Sequence, residues 1–289
     1  MAVITGTTVS TDIAPAISID LVNELHNSYR ALADILGITR MDAVAEGNTI
    51  NIYKSSVKGT VPAQVNEGDV IALTETQRVP TPITMTLKKF RKLTTAEAIQ
   101  KSGRENAIYD TDRALIREIR KGVKADFNTF LATGTGTATA GATLQAQLAN
   151  NWNALQTYFE DADVEPVHFV SSTDVAGYLG TASISMQTAF GMTYVEDFLG
   201  LGTLFIIPSL TAGTVISTAK ENLHCAYVPA NGAVGQEFEL TADETGLVGI
   251  THGRVLERAS IETLLMTGAK FYAEELAGVV KGTITPATH

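Results

Sequence analysis

Two serines in this sequence have a lysine three residues further on: Ser55 with Lys58, and Ser217 with Lys220. On a helix such a lysine can take the hydroxyl proton and leave a nucleophile fit for acyl transfer. The Ser-Asp-Asn and Lys-Thr-Gly segments that accompany the pair in acyl-enzymes are absent, so each match is a weak pointer to hydrolysis. The run GTGTATAG (134–141) has glycines but no following Lys-Ser or Lys-Thr. It reads as a flexible link rather than a phosphate loop. His26, His168, His224, His252 and His289 include no pair at metal-ligating helical spacing. His224 adjoins the single cysteine, Cys225, in a strand-like run where neighbours face opposite ways, so Cys225 reads as a core residue. Glu160, Asp161, Asp163 and Glu165 lack the spacing and glycine of a calcium loop and read as a solvated helix end. Asp110 and Asp112 read as ordinary carboxylates of a helix surface. No catalytic, cofactor-binding or metal-binding residue is assigned.

The remaining concentration of charge is a row of cations, Arg113, Arg117, Arg120 and Lys124, on one side of a helical pattern. Two readings stand. It is a solvated face balanced by Asp110, Glu118 and Asp126, or it faces a polyanion or a neighbouring subunit. The net charge of −10 argues against a general nucleic-acid binder but leaves room for a local basic face.

The elements that carry these residues follow from periodicity. After a Thr- and Val-rich stretch over 1–16, Leu21, Leu25, Tyr29, Leu32 and Leu36 predict a helix with Ser18 as N-cap and Gly37 at its end. NTINIYK then switches to a two-residue period. Residues 53–80 read as a β-hairpin, with Gly59 and Pro62 interrupting the first arm and Asn66–Asp69 forming the turn. At ~3.3 Å per residue, arms of about twelve residues make a ribbon about 40 Å long. Two strands alone are marginal in water, so the ribbon needs a partner surface. Thr94–Glu97 matches a capping box and predicts a short helix to Gly103. From Asn106 to Leu131 the apolar residues Ile108, Leu115, Ile116, Ile119, Val123, Phe127 and Phe130 share one face of a helix ~39 Å long.

Beyond the 133–143 link, Leu144, Leu148, Trp152, Leu155 and Phe159 define one apolar helix face. Short pieces then alternate: PVHFVSS as a buried strand, STDVAGYLG as a capped helix, GTLFIIPSL as a strand, and STAKENL as a helical turn before HCAYVP. The C-terminal region mixes strand-like runs with a helix-compatible centre at Ala273–Ala277. Hydrophobic content of 45% with 18% charge supports a packed core, and 289 residues suffice for one large domain or two modest ones. One cysteine permits no intrachain disulfide. Neither a signal peptide nor a membrane-spanning run is expected, so the chain reads as made in a reducing cytoplasm.

The order of these pieces resembles the major capsid proteins of tailed bacteriophages of the Hong Kong 97 type, over essentially the whole chain. The likeness rests on VNEGDVIALTETQ followed by ITMTLKKFRKLTTAEAIQKSG, and on NAIYDTDRALIREIRKGVKADFNTFLATGTG. It continues through LGTLFIIPSLTAGTVISTAKENLHCAYVP and closes with TGLVGITH and FYAEELAGVVKGTI.

The resemblance implies an α+β capsid fold. Its parts would be an N-terminal arm and helix (1–47), an extended β-hairpin loop (48–93) and a peripheral domain with its spine helix (94–140). An axial domain (141–250) and return strands (251–289) would follow. It implies a structural protein that self-assembles into hexamers and pentamers of an icosahedral shell around double-stranded DNA, without enzymatic activity. The hairpin residues Lys54, Lys58, Val61, Val65, Val70, Ile71 and Leu73 would contact a neighbour. Lys54 and Lys58 stand by position where some members crosslink covalently. The basic row would face the lumen and touch DNA non-specifically. With about 45 residues ahead of the hairpin, a separate scaffolding protein and a portal are the expected assembly partners, and no membrane is. An encapsulin-like nanocompartment shell with a protein cargo is the alternative, and a hydrolase using Ser217 or Ser55 is a rival of another class.

Overall fold

The computed structural model describes residues 41–45, 47–58, 73–160, 164–179, 186–189, 192–242 and 246–285. The N-terminal helix expected over Leu21–Leu36 and the Asn66–Asp69 turn lie outside them. In chain order, β1 (Met41–Ala43) leads to the hairpin arms β2 (Thr49–Lys58) and β3 (Glu75–Thr84). These are followed by β4 (Lys88–Thr95), helix α1 (Ala96–Ser102) and the long helix α2 (Arg104–Leu131). Next come β5 (Gly136–Thr137), α3 (Leu144–Tyr158), β6 (Pro166–Ser171), α4 (Ser172–Leu179), β7 (Gln187–Ala189) and β8 (Met192–Val195). Then follow β9 (Thr203–Ile207), β10 (Thr214–Ala219), β11 (Leu223–Tyr227), α5 (Ala233–Glu237) and β12 (Thr241–Ala242). The last strands are β13 (Val248–Val255), β14 (Ser260–Thr267), β15 (Ala269–Ala273) and β16 (Val280–Thr283).

Four sheets result. A seven-stranded mixed sheet runs β5-β16-β10-β6-β9-β8-β7, a four-stranded antiparallel sheet runs β12-β13-β14-β4, and β1-β11-β15 form a third. The hairpin β2-β3 stands as a two-stranded ribbon. Strands β6 and β9 are buried at every position, which explains their largely apolar runs: helices cover one face and α2 with its sheet the other.

The long helix starts two residues before its expected first residue and ends where expected. It buries Ile116, Ile119, Phe127 and Leu131. Phe127 sets its ring edge-on against Phe169 of β6 (5.4 Å between centroids) and Phe271 of β15 (4.9 Å), so one side chain joins three elements. A second core forms where Leu144 and Leu148 of α3 and Val175 of α4 meet Leu204, Ile206 and Val215.

Four local expectations need correction. The cap of α1 is Thr95, whose hydroxyl accepts from the Ala98 amide at 3.4 Å; Thr94 is still a buried rung of β4 opposite Ile261. Trp152 does not join the apolar face of α3 but is 38% exposed, while Gln147 and Asn151 are buried in its place. Ala273–Ala277 forms no α-helix: β15 ends at Ala273 and a 3₁₀ turn covers Leu276–Gly278. The 133–143 link is not loose. Gly136 and Thr137 pair in parallel with Val280 and Lys281. A Cβ at Gly136 would collide with the Ala277 carbonyl, so glycine here serves close approach rather than flexibility.

Candidate functional site

Among the described residues, the hairpin is anchored at its root. Met85, Ala226 and Val228 form a small buried cluster against which Val44, Ile50, Leu87 and Tyr272 pack. Beyond it the ribbon continues in regular antiparallel register from Thr49↔Thr84 to Lys58↔Glu75. Tyr53 is 49% exposed, with the Arg78 guanidinium 4.4 Å from its ring centroid, and Leu73 is 99% exposed. The backbone places Lys54 opposite Val79 and Lys58 opposite Glu75, whereas Val61, Val65, Val70 and Ile71 lie outside the described residues. Between the hairpin root, the end of α2 and the β15 segment is a cleft of about 730 Å³ lined by Ile52, Ile83, Phe130 and Tyr272.

The basic row occupies the flank of α2 beside its core face. Arg113 and Arg117 are exposed; Arg120 and Lys124 are half-buried. Burial first, and then the charge of Arg120, lowers the Lys124 pKa. Arg113 sits 5.5 Å from the Tyr109 ring centroid. Two of the acids expected to balance the row are engaged with other lysines: Glu118 with Lys121 at 2.6 Å, and Asp126 with Lys88.

A second charged site lies under the same helix, and it corrects the sequence reading of Asp112. That carboxylate is not on the helix surface but 1% exposed, and it holds a basic side chain from each of two strands. Lys92 Nζ of β4 lies 2.6 Å from Oδ1, and His252 Nε2 of β13 donates to Oδ2 at 2.9 Å. Register explains the geometry. His252 pairs with Thr263 of β14, and Thr263 pairs with Lys92, so the three form one row across the sheet on the same face. Lys92 also donates to the Ile108 carbonyl at 3.2 Å and to the Thr111 hydroxyl. Burial alone would raise the Asp112 pKa, but the bonds from His252 and Lys92 together hold it below the usual carboxylate value. For Lys92 burial outweighs the pull of Asp112, so its pKa is lowered. The row pins α2 to the β4-β14-β13 sheet.

No family model matches the sequence, and no curated protein matches it at the sequence level. Solved structures do match. The capsid asymmetric unit of cyanophage A-1(L) superposes with a TM-score of 0.58 at 12% identity, covering 87% of this chain and 92% of that one. The holo-SrpI encapsulin of Synechococcus elongatus PCC 7942 also gives 0.58, at 8% identity, over 100% of this chain and 94% of that one. The capsid of an empty GTA particle gives 0.54 at 10% identity, over 99% and 94%. The chain has the Hong Kong 97 fold.

Within this α+β fold Ser217 and Lys220 take structural places. Ser217 is fully buried in β10. His168 Nε2–H donates to the Leu201 carbonyl at 3.1 Å, so Nδ1 accepts the Ser217 hydroxyl at 2.7 Å. Ser217 Oγ accepts in turn from Asn151 Nδ2 at 2.8 Å. Burial pushes the His168 pKa down to about 4, leaving the ring neutral at pH 7. Lys220 bonds Glu165 at 2.7 Å on the other side of a backbone turn. Ser217 and Lys220 therefore do not form a reachable nucleophile with its base. The side chains of Ser55 and Lys58 lie outside the described ones. Cys225 is fully buried and His224 beside it faces the other way, its ring tilted against Tyr272 at 5.3 Å. Among the described residues no helix is long and apolar enough to cross a membrane.

The Asp112 row is the feature that the sequence reading passed over, and a signal existed. Asp112 stands four residues after Ile108 and four before Ile116, in the apolar stripe itself. A carboxylate at a core position of an amphipathic helix demands a buried partner.

Proposed function

We propose that this chain is the major subunit of an icosahedral shell that encloses the double-stranded DNA of a tailed bacteriophage. The observation that carries the proposal is the hairpin: its root is packed into the body, yet among the described residues no other strand pairs with either arm. A two-stranded ribbon gains little order alone. Many copies, each laying a ribbon on the next, supply the missing surface, and such contacts close into rings. Hexamers and pentamers of this kind are the proposed building blocks, with Lys54, Lys58, Val61, Val65, Val70, Ile71 and Leu73 on the ribbon that meets the neighbour.

Arg113 and Arg117, exposed beside α2, are proposed to face the lumen with Arg120 and Lys124 and to meet DNA phosphates without sequence preference. A separate scaffolding protein and a portal are the proposed assembly partners, with assembly in the host cytoplasm and residence in the virion. The role is structural rather than enzymatic. An encapsulin-like compartment is the second reading, favoured by the match of the SrpI encapsulin over the whole chain.

Electron microscopy of the protein purified after expression tests the proposal. Uniform closed shells are expected, and a monomer or small ring that never assembles would overturn it. Nuclease-protected DNA inside shells formed in phage-infected cells supports the capsid reading, whereas a co-purifying protein cargo moves the assignment to the compartment.

A further inference from the structure

The two edges of the hairpin are not equivalent. Met85 N donates to the Asn48 carbonyl at 3.1 Å, one step beyond the Thr49↔Thr84 rung. Bonded and non-bonded rungs alternate in an antiparallel pair. The rungs Ile50↔Ile83, Ile52↔Thr81, Lys54↔Val79 and Ser56↔Gln77 are therefore bonded ones. The rungs between them turn their backbone groups outward. Pro80 and Pro82 occupy outward positions of β3, opposite Tyr53 and Asn51, where they remove the donors another strand would need. On the β2 side the outward positions Thr49, Asn51, Tyr53, Ser55 and Val57 all keep theirs.

We propose that the β2 edge pairs antiparallel with the β2 edge of a second copy of this chain about a two-fold axis. The product is a four-stranded sheet in the order β3-β2-β2-β3. This inference rests on the reading of the chain as a self-assembling shell subunit, and it adds a two-fold contact along the β2 edge to the ring contact made by the rest of the ribbon. Three observations select the second copy. Stacking β2 of one ribbon on β3 of the next would run on without end, and the prolines block it; pairing of β2 with β2 uses the same edge twice and closes at two. Strand β2 carries Lys54 and Lys58 and no acid. In-register parallel pairing would set lysine beside lysine, whereas antiparallel pairing centred on Tyr53 sets Lys54 opposite Ile52 and Lys58 opposite Asn48 of the second copy. The exposed Tyr53 then lies at the two-fold, where a cross-strand aromatic pair adds to about ten new backbone hydrogen bonds.

Disulfide trapping tests this in purified assemblies. Cys225 is fully buried and stays in place as an internal control. Tyr53→Cys is expected to give disulfide-linked dimers on oxidation, and Arg78→Cys, on the β3 edge, is expected to give none. Ser55→Pro added to Tyr53→Cys removes an outward donor without touching the ribbon's own ladder and should cut the dimer yield roughly tenfold. Thr76→Pro, its counterpart on the β3 edge, should leave the yield unchanged. Closed shells without Tyr53→Cys dimers overturn the edge pairing while the shell reading stands. Dimers without shells overturn the shell reading and keep the pairing. Equal trapping by Arg78→Cys, or indifference to Ser55→Pro, also overturns the pairing.

Discussion

Replacing Asp112 by Asn tests the buried charge row at constant shape. The wild-type carboxylate is 1% exposed and its partners Lys92 and His252 are 17% and 21% exposed, so water can replace little of what the substitution removes. Removing one member of a buried ion pair typically costs ~3–5 kcal/mol, because the remaining charge is left desolvated. Asn can still accept one of the two bonds, which places the expected loss near the lower end, about 3 kcal/mol. For a chain of this size that lowers Tm by on the order of 10 °C. The acid side carries the signature. The native pKa of Asp112 is held below its unfolded value, so its stabilisation is complete above pH ~3.9 and is lost as pH falls through the lower native value. The difference between wild type and Asp112→Asn should therefore be full at pH 7 and shrink below pH ~4. Denaturant unfolding of unassembled subunits at several pH values measures both. A loss under ~0.5 kcal/mol at pH 7, or a difference that persists undiminished at the acid end, refutes the argument that the row pins α2.

Three further outcomes follow from other parts of the chain. Because His168 is buried with a native pKa of about 4, stability should fall by ~3 kcal/mol as pH drops from about 6.5 to that value, and His168→Gln should flatten this segment of a stability–pH profile. Arg113→Glu with Arg117→Glu, both at exposed positions, should leave subunit Tm within ~1 °C and lower the log–log salt slope of DNA binding by about 2; an unchanged slope removes the row from DNA contact. Deleting residues 56–76 should leave a subunit with wild-type circular dichroism that forms no stable shells by sedimentation, and normal assembly would remove the hairpin from its assigned role.

Much of the architecture was readable because it is written in local periodicity. The long helix declared itself through one apolar stripe, and β6 and β9 through runs buried on both faces. What escaped depends on specific polar partners that no periodicity records. Gln147 and Asn151 look like solvent-facing polar residues of α3 until the partners that bury them are known. Gln147 accepts from the Gly141 amide and donates to the Thr139 carbonyl; Asn151 donates to the Val215 carbonyl and to Ser217. The same network turns the glycine-bearing link into a fitted strap: a Cβ at Gly282 would strike the Gln147 side chain, so β16 can lie only where glycine permits. Periodicity carries no record of such pairs, whereas Asp112, lodged among Ile108, Ile116 and Ile119, broke a pattern that was visible.

The hairpin shows why a rule about one strand is incomplete without its register. Alternation identifies β2 and β3 as strands but leaves open which positions face outward, and so what Pro80 and Pro82 do. Shifted by one rung, the same prolines would remove donors from the ladder between the arms and weaken the ribbon. In the observed register they cost the ribbon no internal bond and silence one edge. That asymmetry matters most for a protein present in many copies at high local concentration, where an open edge on both sides would let ribbons add indefinitely. An edge left open on one side alone can be satisfied once and then closes. The chain thus combines an element too thin to be stable alone with a device that limits how it is completed, which is the combination a closed assembly requires.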